Sequence, residues 1–144
     1  MTNRFTQKAQ NALNRAAEEA GRLGHTYIGS EHLLLGLAGE SDSISARILA
    51  SRGALLEKLR GTVADYAGTG VPTVLSPSDM TPKVKNIIET SAQESLKNGQ
   101  SFIGTEHLLA ALLAESDCMA LRILIAGGVS VNEVKKELAA FLES

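Results

Sequence analysis

The segment Tyr27-Ile-Gly-Ser-Glu-His-Leu-Leu34 returns, almost unchanged, as Phe102-Ile-Gly-Thr-Glu-His-Leu-Leu109. Shifting the chain by 75 residues aligns residues 6–60 with residues 81–135 without a gap, and 20 of the 55 aligned positions are identical. Glu40-Ser-Asp42 matches Glu115-Ser-Asp117, and Arg47-Ile-Leu49 matches Arg122-Ile-Leu124. A match of this length at one fixed offset indicates that the chain is a tandem duplication.

Each copy carries the signals of four helices. Thr6 and Thr81 are good N-caps, and Pro82 suits the first helical position. Apolar residues then recur at helical spacing until a glycine, Gly24 or Gly99, ends the first helix. We expect Ser30 and Thr105 to cap the second helix. A third helix is predicted over about residues 43–51 and its counterpart, and a fourth over about residues 55–66 and 131–142.

The two copies are separated by a segment that cannot be helical. Residues 68–80 contain two glycines and two prolines, which break a helix. We expect an extended connector on the surface. The predicted organisation is therefore repeat 1 over residues 1–67, a linker over 68–80 and repeat 2 over 81–144. The fold class is all-α: two tandem, pseudo-twofold four-helix repeats, eight helices in all, form one compact domain.

Composition narrows the possible partners. The chain has 144 residues, a net charge of −2 and only 3% aromatic residues. Nucleic acids and anionic membranes both require a concentrated basic face, so neither is an expected partner. The N-terminus lacks the apolar core of a signal peptide, which predicts a cytoplasmic protein. Cys118 is the single cysteine and is interpreted as a small buried apolar residue.

The sequence predicts neither catalysis nor a metal site. Ser30, Glu31 and His32 are neighbours on one helical turn and therefore point in different directions, which argues against a triad. The histidines do not show zinc-ligand spacing. We expect them to pack or hydrogen-bond at helix ends. A P-loop is also absent, so ATP is not an expected ligand of this chain.

The Glu-His pairs at residues 31–32 and 106–107 admit two interpretations. A glutamate in the first helical turn complements the helix dipole, which is a structural role. The pairs are identical in both copies, and we expect them to face solvent at least in part, so a binding role stays open. Phe5 and Met80 precede the first helix of each copy. They are interpreted either as staples of the helix start or as rim residues of an adaptor or ligand surface.

Four segments resemble the Clp N-terminal repeat, in the form found in ClpC-type AAA+ unfoldases: Arg4-Phe-Thr-Gln-Lys-Ala9, Arg22-Leu-Gly-His25 and the two Gly-Ser/Thr-Glu-His-Leu-Leu motifs. The resemblance covers both repeats in order. It implies a non-catalytic domain that docks protein substrates and adaptors ahead of AAA+ modules, which bind ATP and Mg²⁺ and feed the ClpP protease. The alternative is a stand-alone Clp-N protein that regulates a Clp ATPase by competing for its partners.

The resemblance also implies a ligand, because ClpC-type domains of some Gram-positive bacteria recognise phosphoarginine through the glutamate of this motif. Glu31 and Glu106 would grip the guanidinium group. The candidates for the phosphate end are Ser30, Thr105, Thr6, Thr81 and Lys85. The chain departs from the family where Glu40-Ser-Asp-Ser and Glu115-Ser-Asp-Cys replace a glycine-rich loop. It also has Ser30 in place of threonine, and Met80 in place of an aromatic residue.

Overall fold

The computed structural model describes residues 4–143, and in that range the chain forms eight α-helices and no β-strand. The first repeat contains α1 (Gln7–Arg22), α2 (Ser30–Gly39), α3 (Ile44–Ser51) and α4 (Leu56–Ala67). The second contains α5 (Pro82–Lys97), α6 (Thr105–Ala114), α7 (Met119–Ala126) and α8 (Val131–Glu143). The prediction of an all-α fold built from two four-helix repeats is confirmed.

The ends of α1 and α5 follow the local sequence. The Thr6 hydroxyl accepts a hydrogen bond from the Ala9 N–H at 3.1 Å, and the Thr81 hydroxyl accepts one from the Val84 N–H at 3.2 Å. Beyond the two C-termini, Gly24 and Gly99 adopt φ values of +80° and +72°. Glycine takes this left-handed conformation without steric cost, so both helix ends are correctly predicted.

The core is continuous across the two repeats. Its largest fully buried side chains come mainly from α2 and α6 and include Leu33, Leu34, Leu37, Leu108, Leu109 and Leu112. One cluster of buried residues joins all eight helices. Helix α1 lies so close to α2 that a Cβ at Gly36 would overlap the carbonyl oxygen of Ala12. The duplicated units therefore form a single domain and share their hydrophobic stabilisation.

The connector between the repeats is extended, with one 3₁₀ turn at Pro77–Asp79. It lies against the C-terminal end of α1, where the Gly70 N–H donates to the Leu23 carbonyl at 2.8 Å. The Thr73 N–H donates to the Gly21 carbonyl at 2.9 Å. These backbone bonds fix residues 70–73 without any strand pairing.

The start of each repeat hydrogen-bonds to the other repeat. The Thr6 N–H donates to the Ile103 carbonyl at 2.9 Å, and the Ile103 N–H donates to the Arg4 carbonyl. The second copy has the same arrangement, because the Thr81 N–H donates to the Ile28 carbonyl at 3.0 Å. Each pair is an isolated parallel bridge, Phe5 with Ile103 and Met80 with Ile28.

Hydroxyl groups make a second reciprocal exchange. Ser30 and Thr105 are the first residues of α2 and α6, and neither side chain caps its own helix, so that prediction is wrong. The Ser30 hydroxyl accepts a hydrogen bond from the Ala120 N–H, at the start of α7, at 3.1 Å. The Thr105 hydroxyl accepts one from the Ser45 N–H, at the start of α3, at 3.3 Å. Each repeat thus satisfies a buried donor in the other.

Replacing Thr105 with valine, which keeps the shape but loses the acceptor, should destabilise the domain. The Ser45 N–H would stay buried without a partner, which costs about 1–3 kcal/mol. Urea unfolding followed by circular dichroism measures the change. Thr69→Val, at an exposed connector position, is the matched control. Equal unfolding free energies for the two variants would contradict the role assigned to the Thr105 hydroxyl.

Candidate functional site

The two Gly-Ser/Thr-Glu-His motifs form helix-start corners, which we call the first corner (residues 27–32) and the second corner (residues 102–107). Glycine, not the hydroxyl residue, is the N-cap in both. The ring of His32 bends back so that its Nδ1 accepts the Gly29 N–H at 2.9 Å, and His107 does the same for Gly104 at 2.9 Å. The expectation that the histidines hydrogen-bond at helix ends is confirmed for this pair.

At each corner the glutamate carboxylate folds back over the N-cap glycine. A Cβ at Gly29 would overlap Oε1 of Glu31, and a Cβ at Gly104 would overlap Oε1 of Glu106. The carboxylates therefore lie beside the N-termini of α2 and α6, where negative charge is favoured. In the Gly-x-Glu-His motif, the glutamate and histidine side chains both fold back over the glycine, which has no side chain of its own.

The expectation that the Glu-His pairs face solvent is largely wrong. His32, His107 and Glu31 are buried, with Glu31 only 3% exposed, and only Glu106 is half-buried. Sequence spacing could not show this, because the covering surface at the first corner comes from the other repeat.

A chain of hydrogen bonds holds the first corner against the connector. The His25 and His32 rings meet at 2.7 Å between Nδ1 and Nε2, and Nε2 of His25 is 2.8 Å from the Gly68 carbonyl oxygen. Because Nδ1 of His32 accepts the Gly29 N–H, its Nε2 carries the proton and donates to His25, which then donates to Gly68. Both rings are neutral in this arrangement.

The buried histidines have lowered basicity. Burial, followed by the nearby His25, lowers the pKa of His32 from 6.5 to about 3. Burial also lowers the pKa of His107, against the opposing effect of Glu106 and Glu94. At neutral pH these rings serve as hydrogen-bonding groups.

Beside Glu31 lies a small pocket of about 320 Å³ that spans the two repeats. Glu31 and Tyr27 come from the first repeat, whereas Thr81, Lys83 and Arg122 come from the second. Lys83 pairs with Glu115 at 3.2 Å, and Arg122 pairs with Asp117 at 2.9 Å. The pocket therefore combines one buried carboxylate with two cations that stand at the solvent edge.

The sequence analysis named some of these residues and missed others. Glu31, Ser30 and Thr81 line the pocket, while Lys85 lies on the exposed face of α5 outside the lining. Lys83 and Arg122 were missed. Each is identical to its counterpart in the first copy, Lys8 or Arg47, and this identity was the available signal.

The second corner has the same arrangement, but its carboxylate is more exposed to solvent. Thr6 is held beside it by the hydrogen bond to Ile103. Phe102 replaces Tyr27, and within residues 4–143 no side chain donates a hydrogen bond to the Glu106 carboxylate. The hydroxyl of Thr105 is buried and already accepts the Ser45 N–H.

A separate, larger groove of about 640 Å³ runs between α1 and the connector. Phe5 and Met80 both line it, together with Leu13, Val74 and Leu75. Both Phe5 and Met80 also pack against the core. Each side chain covers the core and also lines the groove, and both interpretations of this residue pair stay open.

Other chemistries find little support in the described residues. The Ser30 hydroxyl faces the Ala120 N–H, and both nitrogens of His32 are engaged elsewhere, so these neighbours do not form a nucleophile-base pair. Residues 4–143 contain no cluster of three potential metal ligands. Cys118 is buried, as expected. None of the helices in this range is long and apolar enough to cross a membrane.

Two four-helix repeats interlocked at Gly-x-Glu-His corners define a known class of domain. The family model of the Clp repeat N-terminal domain matches residues 4–79 and again residues 79–144. The chain therefore belongs to the Clp repeat N-terminal domain family.

Relatives and solved structures agree with this assignment. The chain is 41% identical over 144 residues to the negative regulator of genetic competence ClpC/MecB of Bacillus subtilis, and 40% identical to the chaperone protein ClpB of Oceanobacillus iheyensis. All of this chain aligns in both comparisons, but it spans only 18% of each relative. The N-terminal domain of ClpD from Arabidopsis thaliana has the same fold, with a TM-score of 0.81, 24% identity and coverage of 96% and 97%. A ClpV N-domain in complex with a VipB peptide has a TM-score of 0.69, 18% identity and coverage of 97% and 88%.

Stability should fall as the pH decreases from about 6.5 to about 3. In this window the unfolded chain binds a proton at His32 that the folded chain does not, so acid favours unfolding. One such proton gives a slope of up to about 1.4 kcal/mol per pH unit. His32→Asn keeps an acceptor for the Gly29 N–H but does not titrate, and should flatten the slope. Parallel curves of unfolding free energy against pH for wild type and variant would contradict this.

Proposed function

We propose that this chain is the substrate- and adaptor-docking domain of a ClpC-like, ATP-dependent unfoldase that delivers proteins to the ClpP protease. The observation that carries the proposal is the placement of a motif carboxylate at each corner, beside the start of the other repeat. The ATPase modules and the partnership with ClpP are proposed from the likeness to relatives. This chain spans only 18% of their length. The chain itself performs no chemistry and binds no ATP in this proposal.

The proposed ligand at the corners is a phosphorylated arginine side chain. A guanidinium group matches a carboxylate through paired, charge-assisted hydrogen bonds, and Glu31 supplies that carboxylate. Lys83 and Arg122 stand across the same pocket and supply positive charge for the phosphate. The Thr81 hydroxyl already accepts the Val84 N–H, so its own proton remains to be donated to a phosphate oxygen.

The cations can turn towards a ligand at little cost. Their pairs with Glu115 and Asp117 are at the surface, and such pairs contribute only about 0–1 kcal/mol each. A phosphate carrying about two negative charges is a stronger partner for Lys83 and Arg122 than either carboxylate.

The duplication supplies a second site of the same type. Thr6 is hydrogen-bonded to Ile103 in the second corner, and Lys8 and Arg47 occupy the positions that correspond to Lys83 and Arg122. A protein with two modified arginines could occupy both corners, and the second contact would then be intramolecular. Avidity would compensate for the modest affinity of each corner.

The groove between α1 and the connector is proposed to dock an amphipathic segment of an adaptor protein. Its apolar lining and volume fit a short peptide, and Glu18 and Arg22 at its edge offer both charges. A structural neighbour, the ClpV N-domain, has been solved with a VipB peptide. The groove adjoins the first corner, because Ile28 lines it.

Calorimetric titration with free phosphoarginine tests the corner sites. The double variant Glu31→Gln and Glu106→Gln should lose at least about tenfold in affinity, because a neutral amide cannot replace a charged acceptor for guanidinium. Glu89→Gln removes the same charge from an exposed position on α5 and should bind as wild type does. Phosphoserine and ATP should give no binding heat. A double variant that folds and binds like wild type would contradict the proposal.

The groove is tested by two valines on the same connector. Val74 lines the groove and is 95% exposed, whereas Val71 lies outside the lining and is 85% exposed. Val74→Asn should weaken binding of a fluorescein-labelled amphipathic peptide of leucine, alanine and lysine by several-fold, because a polar amide replaces apolar contact area. Val71→Asn should not. Equal effects of the two substitutions on fluorescence anisotropy would show that the peptide binds elsewhere.

A further inference from the structure

The two corners differ at one hydroxyl group. In the first corner the Tyr27 hydroxyl donates a hydrogen bond to Oε2 of Glu31 at 2.9 Å. In the second corner the corresponding residue is Phe102, which has no hydroxyl and is 54% exposed. The carboxylate that accepts this bond is 3% exposed, whereas Glu106 is half-buried.

The position of Tyr27 is fixed by the histidine chain. Its ring stacks on His25 with 5.6 Å between centroids and 2° between planes, and it tilts against His32 at 5.1 Å. His25 is itself held between His32 and the Gly68 carbonyl. The second copy has Gln100 in place of His25, so this stacking is specific to the first corner.

We propose that Tyr27 is an internal competitor for the Glu31 carboxylate, so that the two corners bind cationic side chains with unequal affinity and the second corner binds more tightly. The proposal rests on the proposed function of the corners. A guanidinium group that grips a carboxylate with paired hydrogen bonds requires both oxygens, and the Tyr27 hydroxyl occupies one of them. A ligand at Glu31 must therefore displace this hydroxyl, whereas a ligand at Glu106 meets a carboxylate to which no side chain in residues 4–143 donates a hydrogen bond.

The protonation state of the Tyr27 phenol agrees with its role as hydrogen-bond donor to Glu31. Burial and the neighbouring Glu31 carboxylate raise the pKa of Tyr27 from 10 to about 12. The phenol is therefore protonated at neutral pH and acts as the donor, while the carboxylate accepts. A hydrogen bond of this kind to a charged acceptor is stronger than one between neutral groups.

Tyr27→Phe tests the competition, because phenylalanine keeps the ring and its stacking on His25 and removes only the hydroxyl. The assay is phosphoarginine calorimetry in the Glu106→Gln background, where only the first corner retains its carboxylate. We expect the Kd to fall by about three- to tenfold. Tyr66→Phe removes the other tyrosine hydroxyl, on exposed α4, and should leave the Kd unchanged. In the Glu31→Gln background, Tyr27→Phe should have no effect on the second corner.

A measurement without ligand supports the same test. In the Tyr66→Phe variant, Tyr27 is the single tyrosine, so ultraviolet absorbance reports its titration alone. Its pKa should be near 12 and should fall when Glu31→Gln removes the charge, while the effect of burial, the larger cause, remains. If wild type binds phosphoarginine but Tyr27→Phe does not tighten the first corner, the competition is overturned and the proposed function stands. If wild type does not bind phosphoarginine at all, both are overturned.

Discussion

The backbone N–H groups of Ser45 and Ala120 lie at the starts of α3 and α7, in the buried contact between the two repeats. A buried N–H without an acceptor is costly, and neither helix finds its acceptor for this group within its own repeat. Thr105 and Ser30 bring the missing oxygens from the opposite repeat. The requirement is reciprocal, so neither four-helix unit is complete by itself. The shared core and the paired bridges at Ile28 and Ile103 follow the same reciprocal arrangement.

As a result, each polar residue of the Gly-Ser/Thr-Glu-His corner has a different role. The hydroxyl residue faces inward and is committed to the other repeat. The histidine satisfies the backbone N–H of the N-cap glycine. The glutamate is the polar residue of the motif that makes no hydrogen bond to a backbone group in residues 4–143, and Glu31 lies beside residues of the second repeat. In the proposed function, the glutamate is the residue of the Gly-x-Glu-His pattern that serves recognition.

Local interactions were predictable from the sequence, whereas contacts between the repeats were not. Thr6, Thr81, Gly24 and Gly99 act on their own helix ends, so their types were enough to place them. Ser30 and Thr105 were assigned to the wrong helix, because a hydroxyl at a helix start resembles an N-cap whichever helix it serves. The burial of Glu31 and the pocket with Lys83 and Arg122 depend on how the copies face each other. The identity of Lys8 with Lys83 and of Arg47 with Arg122 could have indicated these pocket residues. Rules based on periodicity and capping do not take identity between the repeats into account.

The hydrogen bond between Arg4 and Ile103 joins residues about a hundred positions apart, and the Ser30–Ala120 bond spans about ninety. During synthesis on the ribosome, the first repeat is made before its partners at residues 103–120. Its apolar helices and unsatisfied donors then remain accessible to chaperones, because the contacts that close them are long-range in sequence. The first repeat therefore depends on the second copy to satisfy its buried donors and to complete its core.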